Sequence, residues 1–146
     1  MTKIRLTKQF DFEAAHALEG YEGKCRDIHG HSYHLDVTVL GDVDSESGEL
    51  DGSMVMDFKF LKSIVKKNII EVFDHQLILS KKSRFVHLVS ENERTMIVNY
   101  VPTCENILID IVNRLQNKLP KGIELFHVFL RETPRSYAEW NREDNY

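Results

Sequence analysis

Cys25-Arg26-Asp27-Ile28-His29-Gly30-His31 leads into a run from Tyr33 to Leu40 in which Leu35, Val37 and Val39 alternate with other residues. A period of two is that of a half-buried β-strand. His29 and His31 share the parity of Leu35, Val37 and Val39. A strand reaching back that far turns both imidazoles toward the covered face, where two ring nitrogens can meet one metal ion. Gly30 between them removes a side chain that might crowd the opposite face, and Cys25 lies one short turn upstream, close enough to neighbour that ion. A catalytic zinc site that keeps a position open for substrate takes three protein ligands. His16, at the end of the preceding apolar strand in Phe12-Glu13-Ala14-Ala15-His16, is the candidate third. By spacing alone, satisfied or exposed histidines are the alternative.

Working outward, Lys3 to Phe12 alternates Ile4, Leu6, Phe10 and Phe12 against Arg5, Thr7, Gln9 and Asp11, a second half-buried strand. Residues 17–26, with Gly20 and Gly23, form the loop joining the two. Residues 41–53 are an acidic, solvated loop. Asp57 can cap a helix from Phe58 to about Phe73, with Leu61, Ile64, Val65, Val72 and Phe73 at helical spacing. Asp74-His75 follows it. Between Ser80 and Pro102 two short apolar patches, Phe85–Leu88 and Met96–Tyr100, flank the polar run Ser90 to Thr95 and predict a small accessory hairpin. Pro102 ends it, and Thr103 caps a second helix to about Leu119 on the stripe Leu108, Ile111, Val112, Leu115 and Leu119. Ile123 to Leu130 is a strongly apolar strand. Glu132 has the parity of Phe126, Val128 and Leu130, so it either continues the apolar face as a carboxylate that needs a donor partner or is an exposed strand-end glutamate. After Thr133-Pro134, Ser136 to Trp140 returns as a last strand.

A chain of 146 residues suits one domain spanning 1–146, with a core that needs no staples. Its 42% hydrophobic and 29% charged residues describe a globular protein rather than a disordered one. A formal net charge of −4 argues against a general nucleic-acid or anionic-membrane binder, which needs a basic face. Two cysteines, Cys25 and Cys104, and no leader-like apolar start suggest a reduced, cytoplasmic protein. No apolar run approaches a bilayer span.

Five motifs in order raise the specificity: Phe12-Glu13-Ala14-Ala15-His16, Cys25-x-x-x-His29-Gly30-His31, Asp74-His75, Pro102-Thr103-x-Glu105-Asn106, and Arg131-Glu132-Thr133-Pro134-x-Ser136-Tyr137-Ala138-Glu139-Trp140. Together they resemble the 6-pyruvoyl-tetrahydropterin synthase and 6-carboxy-tetrahydropterin synthase family of tunnelling-fold enzymes, from about Ile4 to Trp140. The resemblance implies an α+β fold with two helices on one face of a four-stranded antiparallel sheet. It also implies a homo-oligomer, a dimer of trimers, with active sites between subunits.

It further implies that His16, His29 and His31 hold Zn2+, that Cys25 is the catalytic thiol, and that Asp74 and His75 assist proton transfer. Glu132 would anchor the amino-pyrimidine edge of a pterin, with Glu105 and Thr103 in the same pocket. The implied substrate is 7,8-dihydroneopterin triphosphate, with Lys24 and Arg26 placed near its phosphates by proximity to the motif. Three residues separate Cys25 from His29, a spacing similar to the carboxy-tetrahydropterin branch of queuosine biosynthesis, whereas animal pyruvoyl enzymes use a longer one. The Ser-Tyr-Ala-Glu-Trp ending points the same way. The rival functions are a pyruvoyl-forming lyase on the same substrate and a non-catalytic pterin- or zinc-binding oligomer. Cys104 stands where a small Ser or Ala is usual.

Overall fold

Two long strands carry the alternation further than the apolar residues alone suggest. In the computed structural model, which describes residues 1–89 and 94–146, β1 (Thr2–His16) and β2 (His29–Val43) run antiparallel in continuous register from Thr2↔Val43 to His16↔His29. Directly opposed residues share a face. Phe10, Phe12, Ala14 and His16 therefore point to the same side as Leu35, Tyr33, His31 and His29.

Among the described residues the sheet has six strands, not four, in the order β4-β3-β1-β2-β5-β6. The expected antiparallel four are present as β1, β2, β5 (Glu124–Thr133) and β6 (Ser136–Asn141). Two further strands extend the β1 edge in parallel: β3 (Gln76–Ser80) beside Ala14 to His16, and β4 (Thr95–Val98) beside β3. The sheet is thus mixed. The predicted accessory hairpin is corrected with it. The first apolar patch contributes helix α3 (Val86–Val89), and the second contributes β4, parallel rather than antiparallel to its neighbour. Residues 81–94 connect β3 to β4, a length that permits a crossover where a hairpin needs only a tight turn. Of the polar run Ser90 to Thr95, residues 90–93 lie outside the described residues.

Asp57 caps α1 (Phe58–Val65) by accepting a hydrogen bond from the Lys59 N–H at 2.7 Å. The helix continues through a π turn (Lys66–Ile70) into α2 (Glu71–Phe73). Within that wider turn the Asn68 side-chain amide donates to the Ile64 carbonyl at 2.7 Å. Thr103 caps α4 (Cys104–Gln116), accepting from the Asn106 N–H at 3.1 Å. Leu61, Val65, Ile69 and Phe73 from the first helical segment and Ile107, Ile111 and Leu115 from α4 join the inner sheet face in one apolar cluster.

The other sheet face is polar and laced across its strands. The Thr7 and Thr38 hydroxyls share a 2.7 Å hydrogen bond, Ser32 donates to Glu13 at 2.7 Å, and the His34 ring lies between Asp11 and Asp36 at 2.8 and 2.7 Å. Among the described residues no helix is long and apolar enough to cross a membrane.

Candidate active site

The register decides the site. His16 faces His29 directly across the β1–β2 pair, and His31 sits one same-face step along β2 opposite Ala14, whose small side chain leaves the space open. One nitrogen from each ring lies within 4.8 Å of the others, the single such group of His, Cys, Asp or Glu among the described residues. An added Cβ at Gly30 would meet the Ala14 carbonyl at 3.5 Å, ordinary contact. Within one chain, then, Gly30 is not needed to relieve crowding.

Two backbone carbonyls fix how the rings point. His16 Nδ1 bonds the Pro102 carbonyl at 2.7 Å, and His29 Nδ1 bonds the Asp27 carbonyl at 2.8 Å. A carbonyl only accepts, so each Nδ1 carries the proton and each Nε2 keeps its lone pair for a cation. His16 Nε2 and His31 Nε2 are buried and without a hydrogen-bond partner. A buried polar atom left unpaired costs free energy, and a metal ion at this point would remove that cost from both. The donor set fits a divalent cation.

Burial lowers the His16 pKa below 6.5; the Pro102 carbonyl and Glu132 oppose the shift, while His29 and His31 add to it. His31 is lowered chiefly by burial as well, against the pull of Glu132. Neutral imidazoles are what a metal requires. In the unfolded chain these rings protonate near 6.5, so below that pH the unfolded state binds more protons than the folded one. The metal-free protein should hold its full stability above about pH 6.5 and lose it as the pH falls through the lowered native values. A Tm series on chelator-treated protein from pH 7.5 to 5 tests this; a flat Tm over that span would contradict it.

Glu132 reaches the same end of the sheet. Its Oε1 is 3.7 Å from His31 Nε2, and its Oε2 accepts from the Tyr33 hydroxyl at 3.4 Å. Tyr33 is 1% exposed and stacked on Phe12. Burial, with Glu132 beside it, pushes its phenol well above the ordinary range, so it stays a donor. Glu132, Glu105 and Thr103 line one cavity of about 360 Å³, with Cys104 and Tyr137. The Pro102-Thr103-x-Glu105-Asn106 motif thereby has a division of labour. Pro102 offers its carbonyl to His16, Thr103 caps α4, Asn106 donates to the Val101 carbonyl at 2.9 Å, and Glu105 faces the cavity. Burial, with Glu132 and Glu105 adding to it, pushes the Cys104 thiol up to about 12, so it is protonated at neutral pH.

The other expected residues are not gathered into this cluster. Cys25 sits half-buried on a 3-10 turn (Lys24–Arg26), its carbonyl accepting from the Leu18 N–H at 3.0 Å. Its sulfur is outside the three-imidazole group. Asp74 and His75 are moored to β1: Asp74 Oδ1 accepts from the Glu13 N–H at 2.9 Å, and the His75 N–H donates to the Glu13 carbonyl at 2.6 Å. His75 has a φ of 62°, a left-handed conformation held in place by these bonds. Its ring meets Asp74 Oδ2 at 3.0 Å. Burial alone would raise the Asp74 carboxyl, but the Glu13 N–H and the His75 ring outweigh it and hold it below its ordinary value. His75 lines a cavity of about 440 Å³ with Glu13, Ala15, Gly30 and Ser32, whose parity is opposite to that of the imidazoles, and with Ala14, His31 and residues of the β3–β4 edge.

A half-wound α+β layer with a sheet curled over two helices is the tunnelling fold, and comparison with solved structures agrees. The chain superposes on 6-pyruvoyl tetrahydropterin synthase from Caenorhabditis elegans with a TM-score of 0.68 at 27% identity, covering 97% of this chain and 96% of that one. On the Plasmodium vivax protein of that name the TM-score is 0.71 at 20% identity, with 97% and 99% covered. Residues 5–143 match the family described as 6-pyruvoyl tetrahydropterin synthase, and the chain belongs to that family. It is a lyase of that family. Among curated relatives, the 6-carboxy-5,6,7,8-tetrahydropterin synthase of Haemophilus influenzae is 36% identical over 142 residues, covering 94% of this chain and 98% of the relative. The enzyme of the same name from Rickettsia bellii is 33% identical over 141 residues, covering 93% and 99%.

Proposed function

We propose that this protein converts 7,8-dihydroneopterin triphosphate to 6-carboxy-5,6,7,8-tetrahydropterin with release of acetaldehyde and triphosphate, a step toward queuosine, and that it does so with zinc. The observation that carries the reading is the convergence of one ring nitrogen from each of His16, His29 and His31, with Glu132 3.7 Å from His31 Nε2 and itself lining a cavity with Glu105. The names of the bacterial relatives favour the carboxy product. His16, His29 and His31 would hold the ion. Zinc on three neutral imidazoles keeps its full positive charge and supplies a Lewis acid for the hydroxyls of the substrate side chain.

Glu132 would receive the amino-pyrimidine edge of the pterin, with Tyr33 fixing one of its oxygens. Cys25 takes a proton from a side-chain carbon, and His75, oriented by Asp74, handles the other. Incubation with dihydroneopterin triphosphate and chromatography of the products tests the whole reading. Acetaldehyde together with a carboxypterin supports it; a pyruvoyl pterin without acetaldehyde assigns the sister reaction; no consumption leaves a binding protein.

Replacing Glu132 with Gln keeps the Tyr33 contact and removes the charge. Loss of a charge-assisted hydrogen bond costs about 2 kcal/mol, roughly thirtyfold in Kd, and pterin titration followed by fluorescence should show it. Unaltered affinity would count against the anchor.

The placement of Asp74 and His75 supports sites shared between copies of the chain. His75 lines a cavity that holds none of Cys25, Glu105 and Glu132, so the proton-transfer pair of one subunit would serve the cation site of another. The oligomer proposed is two stacked trimers. Mixing inactive Cys25→Ala and His75→Ala subunits after reversible dissociation should then restore about a quarter of wild-type activity, the share of sites drawing one intact residue from each side. No recovery above the separate variants would place both groups in one chain's site.

A further inference from the structure

The loop joining β1 to β2 is held from outside the site by two residues that no motif includes. Glu19 lies on its outgoing arm and Asp27 on its returning arm, and both are gripped by Ser83-Arg84 in the β3–β4 connection. Glu19 Oε1 accepts from the Ser83 hydroxyl at 3.3 Å and from the Arg84 N–H at 3.1 Å. Arg84 Nη2 donates to Asp27 Oδ1 at 2.6 Å and to the Arg26 carbonyl at 3.5 Å. Ser83 is itself buried, and the Arg84 guanidinium rests on the Phe85 ring at 4.6 Å. The loop's own backbone bonds, such as Leu18 N–H to the Cys25 carbonyl and Asp27 N–H to the Lys24 carbonyl, tie it to itself, and Ser83-Arg84 ties it to the β3–β4 connection.

Asp27 connects this clasp to the cation site. Its side chain is the one Arg84 holds, and its backbone carbonyl is the acceptor that orients the His29 ring. Arg26, whose carbonyl Arg84 also touches, follows Cys25 directly on the 3-10 turn. His29 takes its orientation from this loop, whereas His16 takes its own from Pro102.

We propose that Arg84 is a positioning residue: by clasping Asp27 and Arg26 it fixes the carbonyl that aims His29 and the turn that presents Cys25. This rests on the zinc reading above. The guanidinium acts through the loop and touches no reacting group. An exposed ion pair adds little to global stability, so the effect is local.

The test is zinc affinity of the full-length chain by chelator competition, with the visible spectrum of the cobalt-substituted protein as a second readout. Groups that orient a metal ligand typically contribute ten- to a hundredfold to affinity. Arg84→Ala, one step further out, should weaken zinc about tenfold, and alter the cobalt band, while the Tm of the metal-free protein stays where it was. Asp27→Ala removes the clasp but not the carbonyl and should produce the same loss. The double variant should be no worse than either single one, because both break one link. Arg84→Lys should recover part of the affinity, since a single nitrogen makes both contacts. Wild-type affinity and spectrum in Arg84→Ala, with zinc bound normally by the parent, would overturn the proposal and leave the zinc reading standing. A parent chain that binds no zinc would overturn both.

Discussion

His16→Ala should strip the metal and end turnover. His16 is 1% exposed, sits across the strand pair from His29, and spends its Nδ1 on the Pro102 carbonyl. Among the described residues only His29 and His31 complete the group with it, so its loss leaves two of the three imidazoles. Structural zinc sites with four ligands bind with roughly 10–16 kcal/mol, so one ligand is worth about 3 kcal/mol, over a hundredfold in affinity. The truncation also leaves the Pro102 carbonyl without its donor and opens a void beside Tyr33, a destabilisation of about 2 kcal/mol that lowers Tm without unfolding the chain. Elemental analysis of the purified variant, next to a thermal melt, separates the two losses. A full complement of metal in a folded His16→Ala protein would remove the three imidazoles from consideration as its seat.

What could be read in the sequence was whatever depends on parity. Alternation in β2 aligns His29 and His31 with Leu35 and Val37, and alternation in β1 puts His16 on the same face as Phe12, so the cluster follows once the two strands pair. Glu132 was reached by the same counting along β5, and Tyr33 could have been, since it shares the parity of His31. The caps at Asp57 and Thr103 were legible because a single side chain sets each one. The parallel pair β3–β4 was not. Its strands have 5 and 4 residues, too short for a period to emerge, and their pairing across residues 81–94 is a long-range choice that no local pattern encodes. The carbonyls of Asp27 and Pro102 were equally hidden, because every residue has a carbonyl and only the fold selects which ones meet a ring. Asp74-His75 stood out as a pair, but its face could be known only from its mooring to Glu13.

Cys25→Ala should do the opposite of His16→Ala, keeping the metal and losing the reaction. The sulfur is not one of the three converging ligand atoms, so removing it leaves the donor set whole. Nor is it packed deep in the core: Cys25 is half-buried on a 3-10 turn, and its structural tie to Leu18 runs through its backbone carbonyl, which alanine retains. Stability should thus stay within about 0.5 kcal/mol of the parent. Cys104 cannot stand in as a base. Its thiol, although it lines the cavity with Glu132 and Glu105, is raised to about 12 and donates to the Leu130 carbonyl. Loss of a positioned base typically costs 10²–10⁴ in rate, so kcat should fall by about a thousandfold with zinc stoichiometry and pterin affinity unchanged. Stopped-time product analysis on metal-replete variant measures it. Turnover within a factor of a few of the parent would show that the base is another group, and His75, already lining a cavity that His31 borders, would be the next residue to replace.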